Sequence, residues 1–198
     1  LNPSIETLVH AFIPKKFIDH THAEAILAFT NQTGGEKLIR DALGEDIIVL
    51  PYVKAGFKLA KAAHAAFEAN PNASAMVLMH HGIITWGDSA RESYDGMIEI
   101  VSKAEDYIAA HLPQPLKPKA VTTLEQATER VAKTAPILRG VLCNLAQGFA
   151  RVVLMPLITR EVLDFVDSER GKDLALTPSL TPDYLIRTKA LPMWVDSP

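Results

Sequence analysis

Two short apolar runs constrain this chain more than anything else in it. Ile47-Ile48-Val49-Leu50 is β-branched and closed by Pro51. Ala75-Met76-Val77-Leu78-Met79-His80-His81 is a second run that stops at Gly82. Runs of this length, bounded by turn residues, read as buried strands. Between them, Gly56 to Asn70 is rich in Ala and Lys and is halted by Asn70-Pro71-Asn72, the pattern of a long helix and its end. Strands alternating with helices predict an α/β protein, with strand directions left open by the pattern.

The rest of the first half fits that frame. Ser4 to Ile13 reads as a helix with Ser4 as N-cap and Pro14 as its stop. Lys16 to His22 reads as a short strand, and Ala23 to Thr30 as a small helix that ends in Asn31–Gly35. Ile83 to Gly87 either continues the second strand or returns as a hairpin arm. Ser89 to His111 is a helix capped by Asp88 or Ser89. Gly34-Gly35 has no convincing strand before it or helix after it, so it is not a phosphate cradle, and no Gly-x-Gly-x-x-Gly fingerprint occurs.

Three prolines between positions 113 and 118 predict a stiff linker. The expected organisation is a core over residues 1–112, a linker over 113–118 and an accessory helical and strand segment over 119–198. In that segment Thr123–Thr134 and Ile137–Phe149 read as helices, Arg151–Leu157 as strand-like and Arg160–Ser168 as helical. The tail from Thr177 reads as loop-rich.

Composition excludes several classes. With 198 residues, 48% of them hydrophobic, the chain can fill a core, so wholesale disorder is ruled out. A net charge of −3, mixed along the chain, lacks the footprint of a general nucleic-acid binder. The lone Cys143 excludes an internal disulfide and a Cys-rich zinc fold, which makes a reducing cytoplasm the expected compartment. No apolar run reaches the roughly 18 residues that span a bilayer. The best stretch, Gly140 to Ile158, is broken by Asn144, Gln147 and Arg151, and no secretory signal is expected. A chain opening at Leu1 rather than Met is expected to be truncated at its N-terminus.

The histidines carry the chemistry. On a strand, His20 and His22 share one face about 7 Å apart and can converge on one ion. His80-His81-Gly82 ends another buried strand, where glycine lets the chain turn tightly beside a ligand. Three imidazoles with an open position describe a catalytic rather than a structural zinc site, and Glu6 is a natural fourth ligand or general base. With seven histidines in the chain, chance supplies about 0.25 such i,i+2 pairs, so spacing alone leaves surface or hydrogen-bonded core histidines open.

Order and spacing carry the argument further. Glu6-Thr7-Leu8-Val9-His10, Asp19-His20-Thr21-His22-Ala23 and Leu78-Met79-His80-His81-Gly82-Ile83 resemble the successive motifs of the class II aldolase/adducin family over about Ser4 to His111. Thr181-Pro182-Asp183-Tyr184-Leu185-Ile186-Arg187-Thr188-Lys189 is similar to the segment closing the aldolase part of bifunctional rhamnulose-phosphate aldolase/short-chain alcohol dehydrogenase proteins, with Tyr184 where that family usually has His.

The resemblance implies a three-layer α/β/α sandwich with a largely antiparallel central sheet. It implies zinc, or another divalent metal, on His20, His22 and His81, with Glu6 as the acid/base group. His80 stands where many relatives have Asn. Ser4 resembles the end of a serine-rich phosphate loop. The implied reaction is cleavage of a ketose 1-phosphate, first of all L-rhamnulose 1-phosphate, to dihydroxyacetone phosphate and lactaldehyde. Retro-aldol cleavage leaves a carbanion beside a carbonyl, which a Lewis acid stabilises while a carboxylate shuttles the proton. The resemblance also implies a homo-oligomer and, in a longer parent protein, a C-terminal short-chain dehydrogenase domain. Sugar-phosphate 4-epimerases and a dehydratase share the scaffold, and adducin-like interaction modules share the fold without the metal ligands.

Other residues read less sharply. His10 either orients Glu6 or is a packing or surface residue. His64, His111 and the scattered arginines Arg151, Arg160, Arg170 and Arg187 read as solvated. Cys143 reads as buried and inert. Trp86 and Tyr94 line a pocket or pack in the core.

Overall fold

A computed structural model describes residues 2–111, 116–145, 151–188 and 190–196. They fall into two compact units, one within residues 1–113 and 178–190, the other within 114–177 and 191–198. Pro113 and Pro115 of the expected linker lie outside the described residues.

The first unit is built on four strands: β1 (Phe17–Thr21), β2 (Ile47–Leu50), β3 (Ala75–Leu78) and β4 (Gly82–Gly87). Their order is β1-β4-β3-β2. β2 pairs parallel with β3, while β3–β4 and β1–β4 are antiparallel, so the sheet is mostly antiparallel as expected. β3 and β4 form a hairpin, which resolves the alternative left open for Ile83–Gly87.

Strand alternation splits the core over the two faces. Ile48, Leu50, Met76, Leu78 and Ile84 face one way, against α1 (Thr7–Phe12) and α4 (Phe57–Ala69). Ile47, Ala75, Val77 and Ile83 face the other way, against α2 (Glu24–Thr30), α3 (Gly35–Leu43) and α5 (Ala90–His111). The result is the three-layer α/β/α sandwich. α4 shows why these helices form: its buried residues Leu59, Ala60, Ala63 and Phe67 make one stripe at helical spacing. Full burial of an aliphatic side chain contributes about 1.5–3 kcal/mol, and Ile26, Leu27, Ile39, Leu59, Met76, Ile83 and Ile84 are all essentially inaccessible.

Two local expectations in this unit, on Ser4 and on Gly34-Gly35, are corrected, and two others are refined. Ser4 does not cap α1; Glu6 occupies the cap position, and the Ser4 hydroxyl accepts the Glu6 N–H at 3.2 Å. A helix does follow Gly34-Gly35. Gly34 holds φ at +76°, and a Cβ on Gly35 would lie 2.4 Å from the Phe29 carbonyl oxygen, so the pair makes the tight turn from α2 into α3. Ser89 alone caps α5, in a reciprocal box with Glu92: each backbone N–H donates to the other side chain. The loop-rich tail also holds one short helix, α9 (Pro182–Arg187), which starts with Pro182 in its first turn, where its missing N–H costs nothing.

The second unit holds α6 (Leu124–Leu145), α7 (Arg160–Val166) and α8 (Gly171–Ala175). The two helices expected around Pro136 are one helix up to Leu145, with Pro136 inside it; an internal proline removes one backbone bond and can kink a helix rather than end it. Residues 146–149 of that expectation lie outside the described residues. Arg151–Leu157 forms no ladder. Val152 to Leu157 is an apolar run, but Val153, Met155 and Leu157 are 82%, 86% and 77% exposed, and among the described residues no strand pairs with it. Cys143 is partly exposed rather than buried. The start of α6 is tied down by Thr122, whose N–H and hydroxyl both donate to the Asp167 carboxylate. Among the described residues no helix is long and apolar enough to cross a membrane.

Candidate metal centre

The site forms at the end of the sheet where β1 and β3 finish and β4 begins. Alternation along β1 puts Ile18 and His20 on the face that packs against α1 and α4. His22, just beyond the strand, keeps that phase. His81 lies in the three-residue connection between β3 and β4, closed by the His81 N–H donating to the Leu78 carbonyl at 3.0 Å. Glu6, at the start of α1, reaches in from the covering layer.

The turn works differently from the expectation placed on Gly82. The left-handed residue is His80, with φ of +60°, a conformation in which His, Asn and Asp are enriched. Gly82 serves close approach instead. A Cβ there would lie 2.2 Å from the Thr21 carbonyl oxygen and 3.2 Å from Cδ2 of His22. Glycine therefore lets β4 come against the end of β1 and brings His81 to the His20–His22 pair.

One ligand atom from each of Glu6, His20, His22 and His81 lies within 4.8 Å of the others. Glu6 Oε1 is 2.8 Å from His81 Nε2, 3.4 Å from His20 Nε2 and 3.5 Å from His22 Nε2. The three imidazole centroids stand 4.9, 5.1 and 5.0 Å apart, nearly an equilateral triangle. All four side chains are largely shielded, at 24% exposure for Glu6 and 8%, 15% and 9% for the three histidines.

The outer nitrogens are held. His20 Nδ1 lies 2.9 Å from the Ile83 carbonyl and His22 Nδ1 lies 2.8 Å from Asp183 Oδ2. A carbonyl and a carboxylate only accept, so both rings donate from Nδ1 and turn the Nε2 lone pair inward. His20 Nε2 and His22 Nε2 are buried with no hydrogen-bond partner. Such orphaned lone pairs are costly in a protein interior unless something binds them. A divalent cation fits: bonds of about 2.05 Å in tetrahedral geometry separate ligand atoms by roughly 3.3 Å, close to the spacing of the two orphaned nitrogens from Glu6 Oε1.

Electrostatics support the same protonation states. Burial lowers the His20 imidazole from its ordinary value, more than the Ile83 carbonyl and Glu6 raise it, so the ring is neutral near pH 7. Burial works to raise the Glu6 carboxyl. The His81 hydrogen bond and the favourable electrostatic interaction with the three neighbouring histidines outweigh it and hold the carboxyl below its usual range, so it is ionised. The Asp183 carboxyl is lowered chiefly by its bond to His22.

A cleft of about 440 Å³ opens beside these residues, lined among others by Ile5, Tyr52, Lys54, His80, Thr181 and Leu185. Volumes of about 300–1,000 Å³ are typical of small-ligand sites. His80 is exposed, hydrogen-bonded to Asn31 at 3.1 Å and edge-on to Tyr52. Of the other residues singled out from sequence, His10, His64 and Tyr94 are exposed and Trp86 packs edge-on against Phe67 in the core. His111 is exposed and stacks on Tyr107. The Tyr184 hydroxyl donates to Glu24 at 3.5 Å. Asp183 was missed as a site residue. It lies 161 positions from His22; the resemblance of Thr181 to Lys189 marks the segment, but it assigns no role to Asp183.

Residues 1–108 match the family described as the class II aldolase and adducin N-terminal domain, and residues 129–198 match the second domain of class II aldolases. The uncharacterized oxidoreductase YuxG of Bacillus subtilis (strain 168) is 32% identical over 98% of this chain. The chain spans 28% of that relative's length. The N-terminal class II aldolase domain of a conserved protein from Thermoplasma acidophilum is 44% identical, with a TM-score of 0.50, over 54% of this chain and 48% of that one. YgbL of Klebsiella pneumoniae is 22% identical, with a TM-score of 0.44, over 57% of this chain and 60% of its own.

Proposed function

The chain belongs to the class II aldolase and adducin family, and from that premise we propose that it is a metal-dependent aldolase. The proposed reaction is cleavage of a ketose 1-phosphate, L-rhamnulose 1-phosphate first, to dihydroxyacetone phosphate and lactaldehyde. One observation supports this most. Three imidazoles and a carboxylate converge beside an open cleft, and two of the inward Nε2 atoms are buried without a partner. An adducin-like interaction module has no use for such an arrangement.

His20, His22 and His81 would hold the cation, with zinc the first expectation. When bound, a divalent cation supplies Lewis-acid charge that stabilises the negative charge developing on the substrate oxygens. The protein's part begins with the neutral imidazoles, which leave that charge undiminished. Cleavage breaks the C3–C4 bond, releases the proton of the C4 hydroxyl and adds a proton at C3. Glu6 is the ionised carboxylate touching all three imidazoles, and we assign it both transfers: it takes up the proton released by the C4 hydroxyl and, then protonated, delivers it to C3. Its partial shielding keeps bulk water from competing for that transfer. Lys54 in the cleft offers a cation to the phosphate, and Ser4, whose hydroxyl meets the Glu6 N–H, is a second contact for it. The active form is proposed to be a homo-oligomer. The oxidoreductase name of the B. subtilis relative, of which this chain spans 28%, supports a short-chain dehydrogenase domain in a longer parent protein.

The test is metal content by inductively coupled plasma mass spectrometry, followed by release of dihydroxyacetone phosphate from a panel of ketose 1-phosphates. About one zinc per chain with cleavage of rhamnulose 1-phosphate is the expected result. Metal without cleavage, but with epimerised or dehydrated products, would replace the lyase by another reaction of the same scaffold. No metal after zinc is supplied would overturn the reading.

A further inference from the structure

We propose that Asp183 is a positioning residue for the metal ligand His22, so that the segment from Thr181 to Arg187 is a working part of the centre. The inference rests on the metal-site reading above and adds to it a residue far away in the sequence. The contact is direct, with His22 Nδ1 2.8 Å from Asp183 Oδ2. An imidazole that donates Nδ1–H to a carboxylate is held in one tautomer and one ring orientation, and the carboxylate makes Nε2 a stronger donor to a cation. That Nε2 is one of the two buried atoms without a partner, 3.5 Å from Glu6 Oε1.

His20 shows what the alternative looks like. Its Nδ1 is held by the Ile83 carbonyl, a main-chain group present whatever the sequence. His22 lies past the last paired residue of β1, where Thr21 meets Ile83, and its Nδ1 goes to a side chain instead. The structure holds Asp183 in place for this. Pro182 sets the first turn of α9, Thr181 is buried at 5% exposure, and the Asn31 amide donates to the Leu180 carbonyl at 2.8 Å. Tyr184, next in sequence, reaches Glu24 on α2. The segment is thus anchored on both sides of the carboxylate, and this is how a residue on a short helix can fix the angle of an imidazole.

The test is zinc affinity of the whole chain, by competition with a chromophoric chelator at pH 7.5, together with the visible spectrum of the Co²⁺-loaded protein. Asp183→Ala should weaken zinc binding about 10–100-fold and shift the Co²⁺ bands, while the metal-free protein unfolds at nearly the wild-type temperature. Asp183→Asn keeps an acceptor near Nδ1 and should retain more affinity than the alanine variant. The Asp183 side chain is 49% exposed, so its removal opens no core cavity; Asp183→Leu, which fills the space without an acceptor, takes the place of the alanine variant if that one does not fold. If the wild type binds zinc and the alanine variant binds within twofold of it with an unchanged Co²⁺ spectrum, this inference alone falls. An asparagine variant no better than alanine overturns it too. If the wild type binds no zinc, the metal-site reading and this inference fall together.

Discussion

Gly82 lies so close to Thr21 that a Cβ on it would sit 2.2 Å from the Thr21 carbonyl oxygen. Its backbone φ is not in the left-handed region, so the need for glycine is one of space, not of conformation. Gly82→Ala should push β4 from the end of β1 at the point where His81 meets His20 and His22. The cost expected for such overpacking is about 1–3 kcal/mol, a fall in Tm of very roughly 2–8 °C for each kcal/mol, with loss of metal binding at temperatures where the protein is still folded. A variant with wild-type Tm and metal content would show that the strands separate without strain. Calorimetry with metal analysis decides it.

Removing a ligand separates metal binding from folding. His22→Ala and His81→Ala should each abolish stoichiometric zinc and lower kcat by at least about a hundredfold, with the far-ultraviolet spectrum unchanged because neither side chain belongs to the apolar core clusters. Full zinc occupancy in either variant would remove that residue from the ligand set.

Metal should act as a stabilising ligand. A cation that binds only the folded state contributes about 2.7 kcal/mol at a free concentration a hundred times its Kd. Tm should rise on titration with zinc, fall on addition of a chelator and return on reloading. A Tm indifferent to both would mean that the two orphaned nitrogens stay empty in solution.

The pH dependence of the metal-free protein has a definite sign. His20 is lowered from 6.5 by burial, and Glu6 from 4.5 by its His81 bond and the surrounding imidazoles against the opposing effect of burial. In both cases the unfolded chain takes up a proton before the folded one does, so acid favours unfolding. The His20 contribution is complete above pH 6.5 and is lost as pH falls through its folded value; that of Glu6 is complete above 4.5 and lost below it. Urea unfolding between pH 7.5 and 5.5 should show falling stability in the wild type and a flatter profile in His20→Gln. Stability that rises over this interval contradicts the burial argument.

Much of the architecture is legible locally. The apolar runs at Ile47–Leu50 and Ala75–Leu78 are strands because β-branched and apolar residues between turn signals have few other options. Glu6, His20, His22 and His81 are legible as a set because the motif order survives in one chain. Misreadings have local causes as well. Val152 to Leu157 is apolar like a strand, but pairing needs an edge, which a local apolar run does not report. Pro136 looks like a break, yet α6 passes through it. Gly82 looks like a turn residue, and its role is visible only once Thr21, 61 positions earlier, lies against it.

Sequence by itself determined the α/β class, the positions of three of the four strands and the residue types that can bind a cation, because period, caps and motif spacing are properties of neighbours along the chain. Tertiary structure decided the rest. The β1-β4-β3-β2 order, the tautomers of His20 and His22, the close approach at Gly82 and the carboxylate of Asp183 all depend on groups that meet only after folding. The His22–Asp183 pair spans 161 residues. No local rule carries information over that distance, since the contact is set by where the packed layers put each backbone and not by what stands next to either residue.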